Sequence, residues 1–452
     1  MTTPSIPVSR IARFRSALVD HPQLWWSLLY FFSLLCSYYV LRPVRDAMGA
    51  SADATAVFPQ AWLTWAQTRG VALGDFTLQL LFTGTFIAMV LLQPLYGALV
   101  SRFPRRVFLP AVYLVFVACL IGFYWMFDSQ ISGRGAAFFI WVAVFNLFAV
   151  SVFWSFMADV FDNHNAKLVY GYIGAGGTIG ALVGPGLTRF LVGPVGVANL
   201  LLVSAALLLV CLLCIVRLRP WALLRERQRQ EADGEQAMGG SIMAGLRLIW
   251  ERPVLRAIAA LMFFGVGVGT LLYNEQAAIV REFYPGAEAS TRYYSMIDWA
   301  INGVTIVIQL FVTRWLLHRH GIAPALLIPA TAIVFGYCLL AASPLPMLVA
   351  MVQILTRASE FSLSKPARET IYTQVDRESR YKAKAAIDTV IYRGGDLTFV
   401  WLHKGLAVFG SAVVFGGGIL VALGMAAGAW RVVQTQRRLE DPDEPDRAPV
   451  TL

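Results

Sequence analysis

Long runs of apolar residues, separated by short polar connections, form the pattern of this chain. Each run has about 20 residues, the length that an α-helix needs to cross a hydrocarbon layer about 30 Å thick. Because the runs are continuous and do not alternate, they predict membrane helices and exclude a transmembrane β-barrel. We predict about twelve spans. Their approximate bounds are 24–46, 76–100, 107–127, 135–160, 168–192, 196–217, 256–281, 294–317, 322–342, 345–366, 384–408 and 411–433.

A long polar stretch, residues 217–241, divides these spans into two sets of six. The segment "IMAGLRLIWERPVLR" that follows has its charges on one face, which suits a helix lying on the membrane surface. The pattern predicts an all-α polytopic membrane protein with two pseudo-symmetric halves and a solute site between them. The predicted segments are a cytoplasmic N-terminus (1–23), an N-terminal six-helix half (24–217), a cytoplasmic linker (218–255), a C-terminal six-helix half (256–433) and a disordered cytoplasmic tail (434–452).

Basic residues concentrate in alternate connections, and the positive-inside rule assigns such connections to the cytoplasm. Both termini are therefore predicted to be cytoplasmic, in a bacterial inner membrane. The basic residues concerned are Arg10, Arg13, Arg15, Arg102, Arg105, Arg106, Arg217, Arg219, Arg225, Arg227, Arg229, Arg377, Arg380, Lys382, Lys384, Arg437 and Arg438.

Composition agrees with a lipid environment, since 58% of residues are hydrophobic and only 14% are charged. Soluble domains are about 45–50% apolar and about 25% charged. The net charge of +10 is explained by the basic connections, so we expect no nucleic-acid partner. The five cysteines lie inside apolar runs, so neither a disulfide nor a metal site is expected. We find no phosphate loop, no HExxH and no nucleophile elbow, and we predict a monomer that is neither an enzyme nor dependent on a cofactor.

Charge at membrane depth begins in the first span, in the stretch "SYYVLRPVRDAMG" (37–49). Tyr38, Arg42 and Arg45 share one helical stripe, and Asp46 lies one turn after Arg42. Charges at this depth usually face the interior of a helix bundle, so we predict that the stripe lines a cavity. The alternative is that both arginines extend to the lipid headgroups.

Further charges lie in later spans. Glu275 in span seven is a candidate coupling acid, and Asp298 in span eight is another isolated acid. The densest set lies within residues 359–396. There, the spacing allows Lys384 to pair with Asp388 and Arg393 to pair with Asp396 on a helix face. Cations that remain unpaired in this stretch would suit an anionic solute.

Two motifs concern gating and packing. "GALVSRFPRR" (97–106) resembles the loop signature of the major facilitator superfamily, although an ordinary positive-inside loop would look similar. We assign a gate to Arg102, Arg105, Arg106, Asp159 and Asp162. The glycine-rich string 171–186 has no preceding strand, so we interpret it as a close-packing helix face that includes Gly171, Gly174, Gly177 and Gly184.

The stretch "KPARETIYTQVD" followed by "RESRYKAKAAID" is similar to a signature of the ATP/ADP antiporter family, a branch with a major-facilitator-type fold. The matching positions include Pro366, Arg368, Glu369, Tyr372, Asp376, Lys382, Lys384 and Asp388. The first span adds Leu41, Arg42 and Asp46, with Arg45 where the family has lysine, and "VFWSFMAD" in span four is also similar. The resemblance implies exchange of nucleotides or other phosphorylated anions.

We therefore predict a secondary transporter that works by alternating access on a small anionic solute, with nucleotide exchange implied by the resemblance. Predicted substrate contacts are Arg42, Arg45, Lys382 and Lys384. Predicted coupling or charge-pair residues are Asp46, Glu275, Asp388, Arg393 and Asp396. The alternatives are a proton-coupled transporter of an unrelated solute and, more distantly, a membrane receptor or scaffold that transports nothing.

Overall fold

The computed structural model of the protein describes residues 22–102, 105–161, 163–231, 242–373, 383–384 and 386–440. Every regular element within these ranges is helical. In chain order the α-helices are α1 (Gln23–Gly49), α2 (Ala54–Val57), α3 (Gln60–Gln67), α4 (Thr77–Arg102), α5 (Arg105–Asp128), α6 (Arg134–Val160), α7 (Asn163–Glu231), α8 (Ile242–Glu251), α9 (Pro253–Phe283), α10 (Ala287–Ile308), α11 (Arg314–His320), α12 (Ile322–Ala342), α13 (Pro346–Ser359), α14 (Lys365–Thr373), α15 (Tyr392–Ala407) and α16 (Ser411–Glu440).

The predicted spans coincide with these helices. Within the described residues, nine helical segments are long and apolar enough to cross a membrane. One of them, Val169–Leu224, contains two helices that meet at Gly196, where φ is +81° and the helical geometry breaks. Predicted spans five and six meet at the same position. Predicted spans ten and eleven fall on the charged helices around α13–α14 and α15, which are not among these nine segments, so the number of twelve stays a prediction.

The chain forms two compact units. The first is drawn from Met1–Arg69, Ile87–Gln236 and Gly286–Trp299, and the second from Gly70–Phe86, Ala237–Pro285 and Ala300–Leu452. These units follow packing in space, whereas the predicted halves 24–217 and 256–433 follow the order of the chain. The boundaries of the halves therefore stay a prediction.

In the first unit, α1 is the central helix. Tyr30 on α1 is completely buried, and its hydroxyl lies 2.7 Å from the hydroxyl of Tyr113 on α5. The ring of Phe31 stacks on Phe153 of α6 at a centroid distance of 4.3 Å. The apolar face of α1 is thus covered by aromatic side chains from two other helices.

α1 also packs closely against α7 through glycines. A Cβ added at Gly184 would lie 2.7 Å from the Cβ of Tyr39 and 2.8 Å from the carbonyl oxygen of Cys36. Gly177 is equally close to the ring of Phe31, so the predicted packing face is confirmed at these two glycines. The other two predicted members, Gly171 and Gly174, have no atom within 4 Å of such a Cβ. The contact begins only further along the helix, where Gly176 and Gly180, which the sequence did not assign to the face, join Gly184 in a repeat of glycines four residues apart.

In the second unit, α9 packs against α15 and α16. Gly267 and Gly428 permit close approach, because a Cβ at Gly428 would lie 2.9 Å from the Cα of Leu261. The hydroxyl of Tyr337 on α12 donates a 2.6 Å hydrogen bond to the carbonyl oxygen of Val268, which follows Gly267 on α9. The start of α4 belongs to this unit, and its Gln79 side chain donates to the carbonyl oxygen of Val400.

Helical structure also extends into connections that the sequence pattern left without elements. Two short helices, α2 and α3, follow the first span, and α2 begins after Asp53, whose carboxylate accepts a 2.9 Å hydrogen bond from the Thr55 amide. Hydrogen bonds from Thr55 lower the pKa of Asp53. α7 continues to Glu231 in the predicted linker, and α16 continues to Glu440 in the predicted disordered tail. The segment expected on the membrane surface forms α8.

Candidate functional site

Charged side chains of the first unit meet around the end of α1. The Arg42 guanidinium lies 3.4 Å from a carboxylate oxygen of Asp298 on α10 and 3.8 Å from Asp46, one turn further along α1. The three side chains are 4–11% exposed. The predicted pairing of Arg42 with Asp46 is confirmed, whereas the contribution of Asp298 required the fold.

Arg45 is held beside the same carboxylate. Its Nη2 lies 2.6 Å from Oδ1 of Asp46, and its guanidinium lies over the ring of Phe139 at 5.1 Å. The Arg45 side chain is only 17% exposed. Both arginines of the predicted stripe therefore lie inside the unit, and extension to the lipid headgroups does not describe them.

The second unit contains a cavity of about 350 Å³. One wall is apolar and comes from α9 and α12, with side chains such as Leu261, Val266 and Ile333. The charged part of the lining comes from the α13–α14 region and α15. Its charged lining residues are Arg357, Glu360, Lys365, Arg368, Glu369, Asp388, Arg393 and Asp396.

Two π-helical turns form part of this charged wall. Glu360–Ser364 separates α13 from α14, and Ile387–Ile391 leads directly into α15. A π turn adds a residue and shifts the register of every side chain that follows, and such turns are frequent at functional sites. Glu360 and Asp388, one in each turn, both line the cavity.

Three ion pairs neutralise part of the charged wall. Arg368 donates to Glu360 at 2.7 Å, and Arg393 lies 3.3 Å from Asp396 as predicted. The other oxygen of Asp396 accepts a 3.0 Å hydrogen bond from the hydroxyl of Thr270. The third pair joins Lys384 to Glu369.

Lys384 lies beside the cavity, and its Nζ is 2.6 Å from Oε2 of Glu369. Lys384 therefore forms its ion pair with Glu369, while Asp388, the predicted partner, interacts with it electrostatically without reaching ion-pair distance. The intrahelical spacing of four assumed a regular α-helix, whereas a π turn begins at Ile387. In addition, α14 supplies a closer carboxylate from a distant part of the chain.

Arg357 and Lys365 are cations of the wall that the predicted site residues did not include, although Lys365 lies in the charged stretch 359–396 that the sequence indicated. Neither forms an ion pair or a side-chain hydrogen bond with a residue that the structure describes. Arg357 interacts electrostatically with Asp396 without reaching ion-pair distance. A sequence signal existed for Arg357, since it is the first charge in an otherwise apolar span.

Glu275, the predicted coupling acid, lies on α9 and outside the residues that line the cavity. Its Oε1 is 2.8 Å from Nε2 of His403 on α15, and both side chains are about nine-tenths buried, at 8% and 10% exposed. Sequence reasoning missed His403, because a single histidine among apolar residues gives no pattern.

The predicted gate remains a prediction. Asp159 lies half-buried in the last turn of α6. Arg102 ends α4 and Arg105 begins α5, together with Arg106, and their side chains are outside the described set. Asp162 and Lys382 lie outside the described residues.

Comparison with known proteins identifies a matching family and similar proteins. A family model for the Major Facilitator Superfamily matches residues 47–395. ADP,ATP carrier protein 1 of Chlamydia muridarum (strain MoPn / Nigg) is 22% identical over 450 residues, covering 84% of this chain and 81% of that protein. ADP,ATP carrier protein 1 of Chlamydia trachomatis serovar D is 21% identical over 437 residues, with the same two coverages of 84% and 81%.

Among solved structures, a D-xylose-proton symporter is similar in fold, with a TM-score of 0.60 at 14% identity. The match covers 88% of this chain and 96% of that chain. These relatives are transporters and not enzymes. The resemblance to ATP/ADP antiporters that the sequence motifs indicated is confirmed by the two carrier proteins.

Proposed function

Because the chain belongs to the Major Facilitator Superfamily, and is thus an integral multi-pass membrane transporter, we propose that it exchanges nucleotides of the ATP/ADP type. The cavity of the second unit carries this proposal. It combines an apolar wall with a wall of charged side chains. A nucleotide has the matching chemistry, with an aromatic base at one end and phosphates at the other.

The proposed phosphate contacts are Arg357 and Lys365. Three acids of the cavity wall, Glu360, Glu369 and Asp396, are already held by cations at 2.6–3.3 Å. A guanidinium and an ammonium without such partners among the described residues are suited to phosphate oxygens, which they bind through charge-assisted hydrogen bonds.

The apolar wall and two tyrosines are the proposed contacts of the base. Tyr372 and Tyr392 line the cavity together with the aliphatic side chains of α9 and α12. A flat aromatic base gains by burial against such surfaces and by stacking on rings. An anion without an apolar part, such as inorganic phosphate, would leave this wall unused.

The substrate-contact and charge-pair residues predicted from the sequence are part of this proposal. Arg42, Arg45, Lys382 and Lys384 are proposed substrate contacts at other stages of the transport cycle, since the described cations among them are paired here. Asp46 is the proposed partner that holds Arg42 and Arg45 between substrates, Asp388 is a proposed charge partner for the cations of the cavity wall, and Arg393 and Asp396 are proposed to hold each other. We further propose a monomer in a bacterial inner membrane, with both termini in the cytoplasm.

Uptake into proteoliposomes tests the exchange. Vesicles containing the purified full-length chain are loaded with ADP or with buffer, and uptake of labelled ATP is measured. We expect internal ADP to stimulate uptake strongly, because an exchanger moves its substrate outward and inward in turn. Equal uptake with and without internal nucleotide would contradict exchange, and proton-driven accumulation of a different solute would favour the proton-coupled alternative.

Substitution of the cavity cations tests the site. Arg357→Gln and Lys365→Gln each remove one charge-assisted contact, worth about 1.5–3 kcal/mol, so the KM for ATP should rise about tenfold or more. The control is Arg431→Gln, because Arg431 is exposed on α16 and does not line the cavity. Unchanged kinetics in both cavity variants would remove this cavity from the proposal.

A further inference from the structure

A buried acid and a buried histidine face each other in the second unit, away from the cavity. Both side chains are about nine-tenths buried, and the atoms Oε1 of Glu275 and Nε2 of His403 are 2.8 Å apart. The two residues come from α9 and α15, which are neighbours in this unit. Both helices also reach the cavity, through Thr270 and Asp396, so the pair is connected to the charged wall by rigid helix.

The charge of this pair depends on a single proton. With an ionised Glu275 and a neutral His403 the pair carries one negative charge, and one added proton makes it neutral overall. Burying an uncompensated charge away from water is costly, whereas a neutral pair is much less so. Histidine is also the side-chain type whose ordinary titration falls closest to physiological pH.

The second ring nitrogen of His403, Nδ1, links protonation of the imidazole to a change of conformation. Nδ1 is buried and has no hydrogen-bond partner among the described residues. If the imidazole takes up a proton while Nε2 remains bonded to Glu275, Nδ1 becomes a donor that has no acceptor in this conformation. An unsatisfied buried donor costs about 1–3 kcal/mol, so protonation favours a conformation that supplies an acceptor.

The surroundings hold few groups that could replace the pair in this role. Tyr337 on α12 interacts electrostatically with Glu275, while its hydroxyl is bound to a backbone carbonyl. Lys404, next to His403, donates to the backbone oxygen of Asp75 at 2.6 Å. The other charged residues of the packed helices are Arg256, Arg281 and Glu282 on α9, Arg357 on α13, Arg393 and Asp396 on α15, and Arg431, Arg437, Arg438 and Glu440 on α16.

We propose that Glu275 and His403 form a proton-binding site that takes up and releases a proton during the transport cycle. The proton adds to the imidazole or carboxylate from one side of the membrane and leaves as a proton to the other, so no oxidant or reductant is involved. The identity of the co-transported solute rests on the proposed function, whereas proton binding by the pair does not.

Proton binding is tested first without any substrate. The full-length chain in detergent is titrated potentiometrically over about pH 5 to 8, alongside His403→Gln and Glu275→Gln. We expect both variants to lose one bound proton per chain relative to the wild type. His318→Gln, at an exposed histidine at the end of α11, also removes one imidazole and shows the size of that effect; Glu275→Gln keeps every histidine and is therefore the variant that decides whether the pair binds the proton. The proposal would be overturned if the titration curves of the two pair variants differed from that of the wild type by no more than repeated wild-type titrations differ from each other.

Proton movement is tested next in proteoliposomes with ADP and a pH-sensitive dye inside and ATP outside. In the wild type, nucleotide exchange should be accompanied by a change in internal pH. In His403→Gln, the ratio of protons moved to nucleotides exchanged should fall to near zero. Glu275→Gln keeps a hydrogen-bonding side chain of the same shape, so it covers the case in which the histidine variant does not fold. An unchanged ratio in both variants would overturn the transport role. If the wild type exchanges no nucleotide, the nucleotide proposal fails, and the titration alone decides on the proton site.

Discussion

Arg42 and Arg45 lie in the helix of the first predicted span, and the structure shows what compensates their charge. Asp46 contacts both guanidiniums, at 3.8 Å and 2.6 Å, and Asp298 contacts Arg42 at 3.4 Å. Two positive and two negative side chains therefore form one balanced cluster inside the first unit. The spacing of the sequence predicted the contact within α1, and only the fold brought in the acid that follows more than 250 residues later.

Removing one member of this cluster should destabilise the protein. Arg42→Gln leaves two buried carboxylates with a single cation, and breaking a buried pair from one side costs about 3–5 kcal/mol. The double variant Arg42→Gln with Asp298→Asn restores the balance and should recover a large part of this loss. Thermal unfolding in detergent measures both.

Arg292→Gln serves as the matched control for the cluster. Arg292 pairs with Glu288 at 3.2 Å, but both side chains are more than half exposed, at 51% and 55%. An exposed pair of this kind contributes about 0–1 kcal/mol. If Arg42→Gln shifts the melting temperature no more than Arg292→Gln does, burial of the cluster does not contribute to stability as argued.

At the level of helices, α1 and α7 show how close packing depends on a missing side chain. Gly180 lies against the carbonyl oxygen of Phe32, and Gly184 lies against Cys36 and Tyr39, all on α1. Small residues spaced by four let the backbones of two membrane helices come together. The sequence showed that glycines were abundant here, but the crossing point of the two helices determined which of them are in contact.

A methyl group added at this contact should push the helices apart. Gly184→Ala is expected to cost about 1–3 kcal/mol, because its Cβ would lie 2.7–2.8 Å from atoms of α1. Gly174→Ala, on the same helix, has no atom within 4 Å and should be neutral or slightly stabilising. Melting temperatures of the two variants in one detergent distinguish these outcomes. Equal shifts would mean that helix propensity, and not the contact with α1, determines the effect.

The π turns are the element-scale feature that periodicity did not predict. A prediction from the spacing of apolar residues assumes a constant number of residues per helical turn. That number changes at the two π-helical segments Glu360–Ser364 and Ile387–Ile391. For this reason the spacing of Arg393 and Asp396, which lie after the turn, gave the right pair. The spacing of Lys384 and Asp388, which spans the start of the turn, did not.

For the whole molecule, the distribution of basic residues predicts the orientation in the membrane. The connection after residue 217 carries five arginines, at 217, 219, 225, 227 and 229, whereas the connection between α12 and α13 carries none. Basic connections remain in the cytoplasm according to the positive-inside rule. Alkaline phosphatase fused after Glu231 should therefore be inactive, and the same enzyme fused after Ser343 should be active.

A green fluorescent protein fused at the same two positions is the reciprocal control, since it fluoresces only when it folds in the cytoplasm. It should fluoresce after Glu231 and stay dark after Ser343. The reverse pattern of both reporters would place the termini on the outer side and contradict the proposed orientation.

Much of this protein follows from its sequence alone. The all-α polytopic architecture, the helix α8 and the resemblance to nucleotide carriers required only the lengths of apolar runs and local motifs. Apolar length suffices because every backbone group in lipid must be bonded within its own helix. The side-chain pairs within one regular helix follow from spacing for the same local reason.

The tertiary structure alone decided which distant side chains meet. Asp298 reaches Arg42, Glu369 reaches Lys384, and His403 reaches Glu275, each across a long stretch of chain. Such partners depend on the rotation of each helix about its axis and on which helices are neighbours. Hydrophobic periodicity shows which face of a helix is buried, but not which helix covers that face. The cavity, its unpaired cations and the buried acid–histidine pair are consequences of that packing.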